Sequence, residues 1–237
     1  MTTFATVGGN FVREQLRAPL TLVLLVAIPA FFVVIFAEVI GQFADALGGT
    51  LAGRSATAIS AGWAAAFLTG TLAFFQVASS RGADRRLAAA GLGPMHVAQA
   101  RIGAALVLAT TVSMAAFVSL WVRSGIDHPL HASLAIGGFA AIYIGIGALV
   151  GAVVTDPLEG SLLVMLVFAL DAFSGPQMTS SGGLAALTPT RHAANLLIAA
   201  AGGEGSPAGD WVNVVLVALG SLSVAFGAFW FAARRRS

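Results

Sequence analysis

Residues 19–40 read PLTLVLLVAIPAFFVVIFAEVI, an apolar run in which Glu38 is the one ionisable side chain. An α-helix rises about 1.5 Å per residue, so about 20 apolar residues cross the roughly 30 Å hydrocarbon layer of a bilayer. This stretch therefore predicts a membrane span with Glu38 near its outer end. Pro29 lies within the span, and its missing N–H and its ring predict a kink there.

The composition of the whole chain agrees with this prediction. Of its 237 residues, 58% are hydrophobic and 9% are charged, and the mean hydropathy is +0.91. A soluble domain carries about 25% charged residues. We therefore expect an all-α integral membrane protein. Cysteine is absent, which excludes disulfides, thiolate catalysis and cysteine-ligated metals.

The apolar runs predict six transmembrane helices in a single transmembrane domain, residues 1–237. One run, 161–173, is short, and it is predicted to continue as a helix to about Met178. The six predicted spans cover residues 19–40, 56–78, 102–122, 133–154, 161–173 and 211–233.

Two segments outside the spans also carry helical patterns. Residues 1–17 predict an interfacial amphipathic helix, because Phe4 and Phe11 share one helical face while Arg13 falls on another. The segment 174–210 contains an apolar stretch too short to cross a bilayer. It predicts short re-entrant or surface helices on the outer side, before the last span.

The arginines orient the chain. There is no lysine, so the 12 basic residues other than histidine are all arginine. Because six crossings place both termini on one side, most arginines share that side, which the positive-inside rule makes cytoplasmic. We therefore predict a multi-pass protein of the cell membrane with both termini inside. The predicted cytoplasmic arginines are Arg13, Arg17, Arg81, Arg85, Arg86, Arg101, Arg234, Arg235 and Arg236, and the predicted outer ones are Arg54, Arg123 and Arg191.

Small residues recur at four-residue spacing in two predicted spans. Gly62, Ala66 and Gly70 form one such series, and Gly147 and Gly151 form another. In lipid this pattern lets helix backbones approach closely. We expect these residues at helix–helix contacts, although the pattern does not identify the neighbouring helix.

Several kinds of chemistry are excluded or disfavoured. A Walker phosphate-binding loop needs a lysine, which the chain lacks, so it binds no ATP of its own in this way. His128 and His131 are close enough in sequence to share a metal, but two histidines without further ligands favour a solvated loop pair. We predict no metal site. Since the arginines flank spans, they predict membrane orientation and no nucleic-acid partner.

Asp171 is the most informative ionisable residue, because it falls within the predicted fifth span. An intramembrane carboxylate normally faces protein or a watery cavity. Two interpretations stay open: Asp171 lines a translocation cavity or pairs with a cation there, or it lies near the outer interface, hydrogen-bonded beside Ser174. Aromatic side chains could line an apolar substrate path, although packed or lipid-facing aromatics are commoner. The candidates for that path are Phe32, Phe36, Phe67 and Phe74.

Three features together resemble one family. They are the amphipathic helix before the first span, the basic loop 81–101 between the second and third spans, and the sequence Phe-Ser-Gly-Pro at 173–176. In this arrangement the chain is similar to the permease subunit of a type-2 ATP-binding-cassette (ABC) exporter. The resemblance covers nearly the whole chain.

The resemblance implies a dimer, with a second copy or a related permease, and a cytoplasmic ABC ATPase that binds ATP and Mg. It also implies that the loop 81–101 is a coupling helix docked on that ATPase, while the substrate path lies at the permease dimer interface. The alternative is that these arginines contact anionic membrane lipid. The implied coupling residues are Arg85, Arg86, Leu87, Gly93, Pro94 and Met95.

We therefore expect a transport subunit, with no enzyme activity and no cofactor of its own, that exports a hydrophobic or amphipathic compound such as a drug, antibiotic or lipid. Two alternatives belong to other classes. One is a proton-coupled secondary transporter in which Asp171 carries the proton. The other is a membrane anchor that holds a cytoplasmic protein through the basic loop.

Overall fold

A computed structural model describes residues 19–78, 94–178, 188–202 and 208–234, and every regular element in these ranges is a helix. Five helices are long and apolar enough to cross a membrane, so the protein is a multi-pass membrane protein. The helices are α1 Pro19–Phe31, α2 Ala37–Ala46, α3 Gly53–Ala78, α4 Pro94–Ser124, α5 Pro129–Val153, α6 Pro157–Phe173, α7 Arg191–Gly202 and α8 Ala208–Arg234. The five candidate spans are Val23–Ala46, Gly53–Ala78, Gly103–Ser124, Pro129–Val153 and Ala208–Ala228.

The first candidate span is a helix interrupted by a π turn. Helix α1 continues through Pro29, and the π turn Phe32–Phe36 joins it to α2. We attribute this wide turn to the proline, whose missing N–H and ring disturb the hydrogen-bond ladder around it. The predicted end of the span at Ile40 is wrong, because α2 continues to Ala46 before the chain turns at Gly48, which has a φ of 74°.

Helices α3 and α5 form the centre of the protein, and glycines set their separation. A Cβ atom at Gly147 would overlap the carbonyl oxygen of Gly70, and one at Gly151 would lie 2.9 Å from the carbonyl oxygen of Phe74. Gly62 faces the ring of Phe139 in the same way. These glycines therefore lie at the contact between α3 and α5, where small residues let helix backbones approach closely.

The other helices pack around this pair. Helix α8 lies against α5, where Gly138 faces Val214 and Gly145 faces Ser221. Helix α4 contacts both α3 and α5, and α1 packs on α4. Helix α6 rests on α3, where the ring of Phe74 occupies the space beside Gly160.

Helix α6 is shorter than the candidate spans. It begins at Pro157, where Asp156 caps it by accepting hydrogen bonds from the N–H groups of Leu158 (2.8 Å) and Glu159 (3.1 Å). It ends at Phe173, so the predicted continuation to Met178 is wrong. Pro176 supplies no N–H and disfavours a helical conformation at the residue before it, which explains this end.

Two helices begin at a proline. Helix α4 starts at Pro94, and its candidate span begins at Gly103, which agrees with the span predicted from residue 102. Helix α5 starts at Pro129, earlier than the span predicted from residue 133. In both cases a proline occupies the first position, where its missing N–H costs no helical hydrogen bond. The predicted interfacial helix, 1–17, lies outside the described residues.

Candidate functional site around Asp171

Asp171 is buried, with 4% of its surface exposed, although it lies near the end of helix α6, most of whose residues are exposed or half-buried. Its Oδ2 atom accepts hydrogen bonds from the hydroxyl groups of Tyr143 (2.9 Å) and Thr190 (2.8 Å). Its Oδ1 atom accepts a longer one, 3.4 Å, from the backbone N–H of Thr190. Three donors thus satisfy the carboxylate, as burial of such a group requires.

Tyr143 reaches Asp171 from the middle of α5. Its side chain is fully buried, and its ring makes an edge contact with Phe168 of α6 at a centroid separation of 6.0 Å. Gly70 makes room for this ring, since a Cβ atom there would lie 3.0 Å from its Cδ1 atom. The close packing of α3 on α5 therefore places the phenol hydroxyl beside the carboxylate.

Thr190 immediately precedes α7, and its carbonyl oxygen accepts the N–H of Ala194 at 2.8 Å. The carboxylate of Asp171 therefore lies at the amino-terminal end of α7. Unpaired N–H groups give this end of a helix a partial positive charge, which favours an anion. Asp171 thus connects three helices: it belongs to α6, contacts α5 through Tyr143 and binds the start of α7.

Both interpretations of Asp171 stay predictions, since these hydrogen bonds define its partners and not its depth in a membrane. In the described part of the chain the partners of Asp171 are hydroxyl and backbone N–H groups, with no cation among them, and Ser174 is not one of them. The residues that sequence reasoning missed are Tyr143 and Thr190. One signal was present, because Tyr143 is the single tyrosine of the chain and its hydroxyl lies in an apolar run, where it needs a polar partner.

Helix α7 belongs to the segment for which the sequence predicted re-entrant or surface helices, and it is deeply packed. It lies against both α3 and α5, and it also touches α8. At its far end the carbonyl oxygen of Ala200 accepts the N–H of His128 at 3.2 Å, next to the start of α5. The helix therefore runs from Asp171 to the beginning of α5. Its buried residues are Ala193, Ala194, Leu196, Leu197, Ala200 and Ala201.

A second polar contact fixes the first turn of α7. The Nδ1 atom of His192 lies 2.6 Å from a carboxylate oxygen of Asp210 in the first turn of α8. Nearby, the ring of His131 lies 5.7 Å from that of Trp211 and 5.6 Å from that of His128. Within the described residues no group of three or more histidine, aspartate or glutamate side chains is arranged to hold a metal ion.

The aromatic residues predicted for a substrate path lie in three different surroundings. Phe32 stacks on the partly exposed Phe36 at 4.6 Å, within the π turn. Phe67 is half-buried and lies 5.1 Å from Phe168, which links it to Tyr143. Phe74 is fully buried between α3 and α6. The structure thus connects only Phe67 to the cluster around Asp171.

Most of the residues implied for ATPase coupling lie outside the described residues; these are Arg85, Arg86, Leu87 and Gly93. Pro94 and Met95 open α4. This helix continues without interruption into the candidate span that begins at Gly103.

Two ion pairs mark one end of the helix bundle, which we call the Asp127 end. The guanidinium of Arg54 makes two contacts with Asp127, at 3.2 and 3.4 Å. Arg123 lies 3.2 Å from Glu38. The end of α7 beside His128 lies here too, as does Gln177, whose carbonyl oxygen accepts the N–H groups of residues 50 and 51.

No protein-family model and no curated protein sequence matches the chain.

Proposed function

We propose that the chain is the permease subunit of an ATP-driven ABC exporter that moves a hydrophobic or amphipathic compound, such as a drug, antibiotic or lipid, out of the cytoplasm. In this proposal α6 also crosses the membrane, as the fifth of six spans in chain order. Its 17 residues correspond to about 25 Å of helix, slightly less than the hydrocarbon thickness. The Asp127 end faces outward, both termini are cytoplasmic, and α7 is a re-entrant helix entered from outside.

The observation that carries the proposal is the continuity of α4. Its first nine residues, from Pro94 to the start of the candidate span at Gly103, extend the helix by about 13 Å on the side opposite the Asp127 end. An unbroken helix transmits displacement as a rigid body. A protein bound to the basic loop before Pro94 would therefore act directly on the membrane-embedded bundle.

The energy source must then lie in another chain. Without lysine the protein cannot supply a Walker loop, so ATP and Mg belong to a cytoplasmic ABC ATPase. The coupling residues Arg85, Arg86, Leu87, Gly93, Pro94 and Met95 are proposed to dock on it. A second permease copy, or a related permease, completes the assembly, and lipid covers the remaining apolar surface.

The path is proposed to run along the face shared by the first span and α6. Phe43 and Phe173 meet there at 5.2 Å, and Phe67 contacts Phe168 on the same side of α3. Phe36 is 38% exposed and available to an apolar ligand. Phe74 belongs to the path only in a conformation that separates α6 from α3, because α6 covers it here.

The first experiment is purification of the full chain with its native partners, followed by identification of the co-eluting proteins. We expect an ABC ATPase to co-elute. The double variant Arg85→Ala/Arg86→Ala should lose it, while Arg54→Ala/Arg123→Ala, which removes the same charge at the Asp127 end, should retain it. If no ATPase co-elutes with the unmodified chain, or if both double variants retain it equally, the docking proposal is wrong.

A proton-coupled transporter is the second candidate, because a buried intramembrane carboxylate such as Asp171 is typical of proton carriers. The two candidates differ in vesicles that contain the purified chain alone. Uptake of an amphipathic fluorescent dye that a protonophore abolishes, and that Asp171→Asn also abolishes, would favour the second candidate. Dye transport that requires the co-purified ATPase and ATP would favour the first.

A further inference from the structure

Helix α6 is attached to the rest of the protein along a narrow strip. Of its residues only Gly160, Val164, Asp171 and Ala172 are buried. Its opposite side is exposed, with Leu162 at 58% and Leu170 at 61%. Two contacts beyond its middle hold it in place: the loop that follows it pairs with residues 50 and 51, and Asp171 near its carboxyl-terminal end binds Thr190.

Among the described residues, two hydrogen bonds from Thr190 to Asp171 connect α6 directly to the start of α7. Helix α6 packs on α3 and α5, and α7 packs on α3, α5 and α8, while extensive packing of the described parts of α6 and α7 on each other is absent. Thr190 donates twice to the carboxylate, once from its hydroxyl and once from its backbone. Tyr143 donates once, from the central helix α5.

The packing of α7 gives these polar bonds additional weight. Its buried face toward α5 is rich in alanine, and Ala193 faces Gly138, so the contact surface is smooth. In lipid, helix association gains little from the hydrophobic effect, since the surrounding acyl chains are equally apolar. Hydrogen bonds at one end of a short helix can therefore determine which neighbour it follows.

We propose that Asp171 is a mechanical joint between α6 and α7, so that a displacement of one helix moves the other relative to α5. Asp171 is thus a positioning residue and Thr190 is its counterpart. In the transport cycle, which rests on the proposed function, the joint carries movement of α6 to the helix that lies at the outer side. The joint itself is tested without ATP or substrate, so its failure and the failure of the exporter proposal are distinguishable.

Two nearly isosteric variants distinguish a joint between α6 and α7 from a carboxylate that needs only hydrogen-bond donors. Thr190→Val and Tyr143→Phe each delete one hydroxyl that donates to the same oxygen, Oδ2 of Asp171. If Asp171 needs only donors, the two variants behave alike. If it joins α6 to α7, only Thr190→Val separates the two helices. Thr190→Ser keeps the hydroxyl and should restore the unmodified behaviour.

The measurement is hydrogen–deuterium exchange of the full chain in lipid nanodiscs. Thr190→Val should speed exchange by about fivefold in residues 168–173 and in residues 191–196 together, as loss of one hydrogen bond at a local opening predicts. Tyr143→Phe should leave residues 191–196 within about twofold of the unmodified protein. Equal effects of the two variants, or no effect of Thr190→Val, would overturn the proposal.

A disulfide lock provides a second test. A Cβ atom at Gly138 would lie 3.9 Å from that of Ala193, a separation that suits a disulfide. The chain has no other cysteine, and Val214→Ala removes the side-chain atom that lies 2.6 Å from this position. Gly138→Cys/Ala193→Cys would therefore fix α7 to α5.

The lock is placed in the Val214→Ala background, alone or combined with Tyr143→Phe or with Thr190→Val. Oxidation of the lock should slow hydrogen–deuterium exchange in residues 168–173 by about fivefold in the background alone and with Tyr143→Phe. It should not slow exchange there with Thr190→Val. Slowing of equal size in Thr190→Val would show that the lock reaches α6 by another route, and the joint would be excluded. Should Thr190→Val fail to fold, Thr190→Ala, which deletes the same hydroxyl, replaces it in both tests, with the same expected loss of transmission from α7 to α6.

Discussion

Gly147 is the position where helices α3 and α5 have the least space. A Cβ atom there would overlap the carbonyl oxygen of Gly70, which is backbone and cannot move aside as a side-chain end can. Gly147→Ala should therefore force the two helices apart and lower the free energy of unfolding by about 1–3 kcal/mol, the usual cost of overpacking.

Gly137 supplies the matched control, because it lies on the same helix and a Cβ atom there meets nothing within 4 Å. Gly137→Ala should be neutral or slightly stabilising, since alanine favours helix over glycine. Thermal unfolding of both variants in detergent would compare them. Equal melting temperatures for the two would contradict the assignment of Gly147 to the α3–α5 contact.

Asp171 illustrates what single residues reveal before a structure is known. Its place in an apolar run predicts burial and the need for polar partners, and both are found. The partners themselves were not predictable, because Tyr143 and Thr190 lie 28 and 19 positions away. Periodicity and hydropathy are local properties of a sequence, whereas this cluster depends on how three helices are arranged in space.

Helix α6 depends on its amino-terminal cap. The carboxylate of Asp156 accepts two backbone N–H groups at the start of a helix that has few buried residues to stabilise it. Asp156→Ala should therefore lower the free energy of unfolding by about 1 kcal/mol, whereas Asp156→Asn, which keeps a capping oxygen, should lower it by only a few tenths. Exchange rates of the amides in residues 158–161 would show the difference. If Asn and Ala had equal effects, charge and not capping would be responsible.

The long helices could be predicted from the lengths of the apolar runs, whereas the residues at which they begin and end could not. The first span was predicted to end at Ile40 because polar residues follow. In the structure a stripe of buried residues continues past this point, with Val33, Ala37, Ile40 and Ala44 at helical spacing. This stripe was a signal that the helix went on. The packing of α7 was not visible in the sequence, because a short apolar stretch is equally compatible with an interfacial helix and with one enclosed by α3 and α5.

Across the whole molecule, charge is distributed in keeping with an outward-facing Asp127 end. Two of the three arginines predicted outside, Arg54 and Arg123, are paired there with carboxylates. These pairs are partly exposed, so each contributes little to stability. The third, Arg191, is the first residue of α7, and the other nine arginines of the chain fall in segments predicted to be cytoplasmic.

Whether α6 crosses the membrane decides the arrangement of the entire chain, because five crossings place the two termini on opposite sides and six place them on the same side. The natural absence of cysteine permits single-cysteine labelling in intact cells. An impermeant maleimide should label Gly202→Cys, which is exposed with open space around its Cβ position. It should label neither Thr2→Cys nor Ser237→Cys until the membrane is permeabilised. Labelling of just one of the two tails from outside would mean that α6 does not span, and the proposed placement of the basic loop and of Asp171 would then fail together.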